Sequence, residues 1–156
     1  FGPLPIMDTM IAMDSINHDP IRLIIDSPGG SVMLGFTLYD TIKSLRSPVY
    51  TIGRNCFSMA AIILASGTHG KRFLYKHSKV MLHLPFGEVS GDTQEIKIMQ
   101  KEMEGMKDQL VDMLINCGVK KSKKSILKDI DRSFWMNPEE SIAYGLADEI
   151  IDKGIP

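Results

Sequence analysis

The run from Ile21 to Asp26 is rich in β-formers and ends in Ser27-Pro28-Gly29-Gly30-Ser31, after which Val32 to about Leu45 reads as helix. A strand that turns on two glycines and leaves as a helix commits the chain to crossover connections. The same order recurs downstream. Val49 to Ile52 reads as a strand and Ser58 to about Ser66 as a short apolar helix. Gly67-Thr68-His69-Gly70 is a turn, and Arg72 to Tyr75, Val80 to Leu84 and Glu149-Ile150-Ile151 read as further strands. A first helix is expected over Ile6 to Ile16, stopped by Asn17-His18-Asp19-Pro20. Strands alternating with helices predict an α/β fold with parallel strands and helices on the sheet faces. Function in such folds collects where strands end and helices begin. Both Gly29-Gly30 and Ser58 stand at such junctions.

With 156 residues the chain is expected to form one domain, 1–156, around one core. Its net charge of −1 gives no pull toward nucleic acid or an anionic membrane. The longest apolar run, Met59 to Ala65, is too short to span a bilayer. Cys56 and Cys117 lie far apart without metal-ligand spacing and read as free thiols in a reducing compartment. No signal peptide is visible. Phe1-Gly2-Pro3 reads as the end of a strand, so an N-terminal portion is expected to be missing.

Residues 92–118 carry a different signature. Ile96, Met99, Met103, Met106, Leu110, Met113 and Cys117 recur in steps of three and four, an apolar stripe on one long helix. The stripe has two destinations, the domain's own core or another subunit. Its methionines suit adaptable contact surfaces.

Three segments carry chemistry. Ser58 follows a strand and opens a helix, where unpaired backbone N–H groups await an anion. An ordinary N-cap serine would occupy the same place. His83 is read inside a strand, sharing a face with Met81, while Val80, Leu82 and Leu84 share the other. It is either a structural histidine bonded to backbone or a general base for Ser58. The remaining histidines, His18, His69 and His77, are placed in polar turns. Gly29-Gly30 brings backbone amides close to a ligand, or is simply a tight turn.

Other motifs are set aside. Gly67 to Arg72 lacks the spacing and the hydroxyl residue of a phosphate loop. Lys120, Lys121, Lys123 and Lys124 read as a solvated loop. Asn137-Pro138-Glu139-Glu140 is a capped helix start.

In order and spacing, these segments resemble the proteolytic subunit family of the Clp protease, from about Ile21 to Ile151. The resemblance rests on Ile25 to Ser31, Leu38-Tyr39-Asp40-Thr41-Ile42, Ser58-Met59-Ala60, and Gly70-Lys71-Arg72-Phe73. It continues through Val80 to Pro85, Trp135 to Glu140 and Tyr144 to Ile150. It implies a crotonase-like α/β subunit (the ClpP fold) with a protruding helical handle over about 86–118. It implies a serine endopeptidase with Ser58 as nucleophile and His83 as base. Gly30 and Met59 match the oxyanion-hole positions. It further implies unfolded polypeptide substrates, two stacked seven-membered rings, and a partner ATP-dependent unfoldase. ATP would belong to that partner, with no cofactor or metal in this subunit. The cytoplasm is the expected home, or an organelle matrix.

The chain departs from the family at three places. Ser133 stands where the family's third triad residue, an aspartate, is expected; Asp129 and Asp131 are nearby carboxylates. Arg54-Asn55-Cys56-Phe57 replaces a stretch of small residues before the nucleophile. The N-terminal gating loop is not evident. These departures leave an alternative, a weak or inactive structural subunit of a mixed ring with a paralogue. An acyl-CoA enzyme of the same broad fold ranks below both, since it would call for an acidic pair.

Overall fold

In a computed structural model, residues 3–85 and 90–154 are described, the side chains of Pro3 and Leu4 excepted. Helix α1 (Pro3–Ile16) precedes strand β1 (Ile21–Ser27), helix α2 (Val32–Ser44), strand β2 (Val49–Phe57) and helix α3 (Met59–Ala65). Strand β3 (Arg72–Leu82), helix α4 (Thr93–Asn116) and helix α5 (Lys123–Asp129) follow. Strand β4 (Phe134–Met136), helix α6 (Pro138–Tyr144) and strand β5 (Glu149–Ile151) complete the order.

The sheet runs β1-β2-β3-β4, with β5 also on β3. β1, β2, β3 and β5 pair in parallel, as the strand–helix alternation requires, and β4 runs antiparallel to β3. α3 is buried along its whole length, which explains why its sequence is apolar on every side. Its residues Ile62 and Leu64 join Val49, Leu74, Val80 and Leu146 in the core.

Several sequence expectations are corrected. Arg72–Tyr75 and Val80–Leu84 are parts of one strand that ends at Leu82. The polar residues between them bulge out of register, from Gly53↔Leu74 to Asn55↔Lys79. Ser78 stitches that bulge by accepting from the Tyr75 amide and donating to the Gly53 carbonyl. His77 is therefore exposed on a strand, not in a turn, and His83 lies one residue beyond the strand. β2, expected over Val49 to Ile52, continues through Arg54 to Phe57. The lysine run enters α5, capped by the Ser122 hydroxyl on the Ser125 amide. β4 was not foreseen, because its three residues lie against the start of α6. Pro3 opens α1, so it ends no strand; Phe1 and Gly2 lie outside the described residues.

The long helix divides along its length. Leu110, Val111, Met113, Leu114 and Cys117 are buried, while Ile96, Ile98 and Met99 are exposed. The last turns pack on the domain, and the first turns project from it. Residues 86–89, the strand side of the expected handle, lie outside the described residues.

Candidate active site

Ser58 sits between β2 and α3 with φ 56° and ψ −125°, the one positive-φ residue other than glycine among the described residues. Such a conformation costs on the order of 1–3 kcal/mol and persists where surrounding structure enforces it. Strand-to-helix turns that present a nucleophile use the same device. Here the Ser58 amide donates to the Met81 carbonyl at 2.7 Å, pinning the turn to β3. The Ser58 hydroxyl makes no capping bond with the α3 backbone. It lies 2.8 Å from Nε2 of His83 instead. The N-cap explanation of this serine is therefore set aside. For Ser58 to donate, neutral His83 carries its proton on Nδ1.

The two positions expected for an oxyanion hole are Met59, the residue after Ser58, and Gly30, the residue after Gly29. Met59 is the first residue of α3, so its N–H has no acceptor within the helix. Gly30, at φ 154°, is exposed just past β1. Both line one cavity of about 390 Å³ that runs from Gly29 and Gly30 to Leu34, Leu38 and Ile63. Gly35 leaves the room in which the Met59 side chain lies against α2.

The third position follows from strand register. β3 and β4 pair as Val80↔Met136, Met81↔Trp135 and Leu82↔Phe134. One further step of that register would set Ser133 opposite His83, where side chains share a face. Beyond that step, the Leu84 amide donates to the Ile130 carbonyl at 3.0 Å. Ser133 is exposed. Of the two nearby carboxylates, Asp129 accepts from Lys121 Nζ at 2.7 Å and Tyr144 Oη at 3.0 Å. Burial pushes its carboxyl up, but the Lys121 and Tyr144 hydrogen bonds outweigh this and hold it below its usual range. Asp131 is exposed and lies 4.0 Å from Arg132.

Cys56, read from the sequence as a free thiol, lies two residues before Ser58. It is fully buried, and burial, helped by the Asp26 charge, pushes its thiol up to about 12. It stays protonated and unreactive near neutral pH. Cys117 is likewise buried and free. His18 lies 3.5 Å from Asp14 and His69 3.8 Å from Asp148, both far more exposed than these carboxylates. Among the described residues, no group of three or more His, Cys, Asp or Glu is placed to hold a metal ion, and no helix is long and apolar enough to cross a membrane.

Sequence reasoning missed two features here. Phe57 and Trp135 form an edge-to-face pair with centroids 5.0 Å apart. The aromatic run Phe134-Trp135 was the available signal for a strand, but it was absorbed into the helix start. Arg72, 2 % exposed, forms a two-point pair with Asp148 through Nε and Nη2. A lone arginine at a strand start carries no such signal.

The Clp protease family model matches residues 5–154. The chain is 38% identical over 156 residues to the ATP-dependent Clp protease proteolytic subunit 2 of Chlamydia trachomatis serovar D, covering 96% of this chain and 76% of that protein. It is 38% identical over 149 residues to the ATP-dependent Clp protease proteolytic subunit of Carsonella ruddii, covering 95% and 76%. It is also 38% identical over 151 residues to the chloroplastic proteolytic subunit 4 of Arabidopsis thaliana, covering 94% of this chain and 51% of that protein.

Proposed function

The chain belongs to the Clp protease family, and we propose that it is a serine endopeptidase subunit of an ATP-dependent Clp protease, cutting unfolded polypeptides through an acyl-enzyme. The observation that carries this is the 2.8 Å contact between Ser58 Oγ and His83 Nε2, made by a serine held in a strained turn. Ser58 Oγ attacks the scissile carbonyl carbon while His83 Nε2 takes the hydroxyl proton. The carbonyl oxygen becomes an anion between the amides of Gly30 and Met59. The C–N bond then breaks as His83 returns the proton to the leaving amine. Water then adds to the acyl carbonyl as His83 takes its proton; the C–O bond to Ser58 breaks as His83 gives that proton to Ser58 Oγ, and the new carboxyl terminus leaves. Ser133 stands at the expected third position; a serine hydroxyl there can accept from Nδ1–H but carries no charge to stabilise the imidazolium. Loss of that charge costs about 10⁴ in turnover in a well-studied triad, so turnover here is slow.

The exposed first turns of α4 support a subunit that buries Ile96, Ile98 and Met99 on another copy or a paralogue in stacked rings. The ATP-dependent unfoldase is the partner that feeds the chamber, and ATP belongs to it. A cytoplasmic or organelle-matrix site fits such a machine. Ser133 favours a second reading, a structural subunit that supports active paralogues in a mixed ring.

The test is labelling with a fluorophosphonate, read by intact mass. One adduct on the wild type and none on Ser58→Ala supports the enzyme reading. No adduct, alone or mixed with paralogous subunits, sinks it in favour of the structural one.

A further inference from the structure

Residues 130–133 join the end of α5 to the start of β4, and this segment is tied to the end of β3 twice. The Leu84 amide donates to the Ile130 carbonyl at 3.0 Å, and Phe134 is registered with Leu82. His83 stands between those two ties. β3 ends at Leu82, so beyond the strand it is this segment that holds the backbone of His83 on both sides.

One side chain touches both ends of the segment. Tyr144, the last residue of α6, is 7% exposed. Its Oη donates to Asp129 Oδ2 at 3.0 Å, one residue before Ile130, and its ring lies against Phe134 with centroids 5.4 Å apart. Burial, joined by the Asp129 hydrogen bond, pushes the Tyr144 hydroxyl up, so it remains a donor at neutral pH. Lys121 Nζ meets the same carboxylate oxygen at 2.7 Å. Lys121 is an exposed, flexible side chain and by itself would leave the carboxylate free to follow it. The buried tyrosine gives the carboxylate a fixed direction. α6 is itself anchored, because the Gly145 carbonyl at its end accepts from buried Arg72 Nη1 at 2.9 Å.

We propose that Tyr144 is a positioning residue of the active site: through Asp129 and Phe134 it sets the 130–134 segment, and the two ties of that segment aim His83 Nε2 at Ser58 Oγ. Tyr144 itself touches no reacting atom. This rests on the reading of Ser58 and His83 as nucleophile and base, and it deepens that reading by naming what keeps the pair in reach.

Tyr144→Phe keeps the ring on Phe134 and removes the bond to Asp129. Fluorophosphonate labelling of Ser58 is followed against probe concentration, which separates the maximal rate from the half-saturating concentration. The maximal rate should fall by about 10- to 10²-fold, the scale of a misplacement of up to about 1 Å, with the half-saturating concentration unchanged. Asp129→Ala removes the same bond from its other end and should fall equally. The double variant should fall no further, because both changes break one path. Val49→Ala, a core change at the far end of β2, should lower the thermal midpoint and leave the maximal rate alone. The imidazole is also read directly by proton NMR. The Hε1 resonance of His83, identified by its loss in His83→Gln, should shift in Tyr144→Phe while those of His18 and His77 stay in place.

If Tyr144→Phe fails to fold, Asp129→Ala decides by the same two readouts. An unchanged maximal rate with an unmoved His83 resonance overturns the proposal and leaves the dyad standing. A shifted resonance in a protein whose Ser58 never labels supports the positioning of His83 and overturns the dyad reading. Losses that multiply in the double variant, or an equal loss in Val49→Ala, reduce Tyr144 to general stability and overturn the proposal.

Discussion

Gly29 closes directly on the Ser58 turn: a Cβ at position 29 would stand 2.8 Å from Ser58 Cβ and 2.7 Å from the Phe57 carbonyl oxygen. The glycine of the β1–α2 turn thus serves as the wall against which the strained serine rests. Its own φ of 95° also belongs to the left-handed region that a side chain disfavours.

Gly29→Ala should therefore displace Ser58 as well as strain its own turn. The backbone term alone is on the order of 1–3 kcal/mol. A misplacement of the reacting group by about 1 Å costs roughly 10² in rate. Thermal unfolding together with fluorophosphonate labelling checks this. A variant that is stable and labels at the wild-type rate would show that the contact does not position Ser58.

Ser133→Asp should restore charge opposite His83. The labelling rate is expected to rise by about 10²- to 10⁴-fold, the range associated with the third triad residue. Ser133→Ala should stay near the wild-type rate, since the serine supplies little. The rate measured against pH separates an electrostatic gain from a change in folding. An unchanged rate in Ser133→Asp would mean that the register step from Leu82↔Phe134 does not carry through to His83 and Ser133.

The strand–helix alternation was readable because each parallel crossover needs a turn, and Gly29-Gly30 and Gly67–Gly70 mark two of them. Ser58 was readable as a serine between a strand and a helix, and His83 as a histidine inside a strand; their 2.8 Å contact is a tertiary fact. The single strand Arg72–Leu82 was not readable, because the Tyr75–Ser78 bulge interrupts its apolar pattern with Lys76 and His77. β4 was hidden because three residues are too few for periodicity to register. The division of α4 was also invisible. Its stripe continues through both halves, and only the fold decides which half meets the domain.

That division predicts opposite outcomes for two apolar substitutions on one helix. Met99 is 41% exposed and Leu114 is 1% exposed. Met99→Asp should leave the stability of the isolated subunit within about 0.5 kcal/mol, as surface changes do, while lowering the assembled mass in sedimentation. Leu114→Ala should cost about 2–5 kcal/mol by opening a cavity. Assembly that survives Met99→Asp intact would show that the projecting turns do not bury their stripe on another subunit.

Arg72 and Asp148 predict how the fold responds to acid. Arg72 Nη1 donates to the carbonyls of Ala65, Cys117 and Gly145, tying the ends of α3, α4 and α6 to the start of β3. Its Nε and Nη2 donate to the two Asp148 oxygens at 2.8 and 2.6 Å. Burial pushes the Asp148 carboxyl up, but the Arg72 hydrogen bonds and charge outweigh it, and the carboxyl is held below its ordinary value. A carboxylate depressed on folding gives stability that is full above its unfolded pKa, about 4, and is lost as pH falls through the folded value. Urea unfolding of the wild type should therefore weaken below about pH 4, and Asp148→Asn should remove this residue's share of that slope. At neutral pH the same variant leaves a buried guanidinium without its counter-charge, expected to cost about 3–5 kcal/mol. A loss under about 1 kcal/mol at neutral pH, the scale of an exposed ion pair, would mean that the three carbonyls alone hold Arg72 and that the pair does not organise the helix ends.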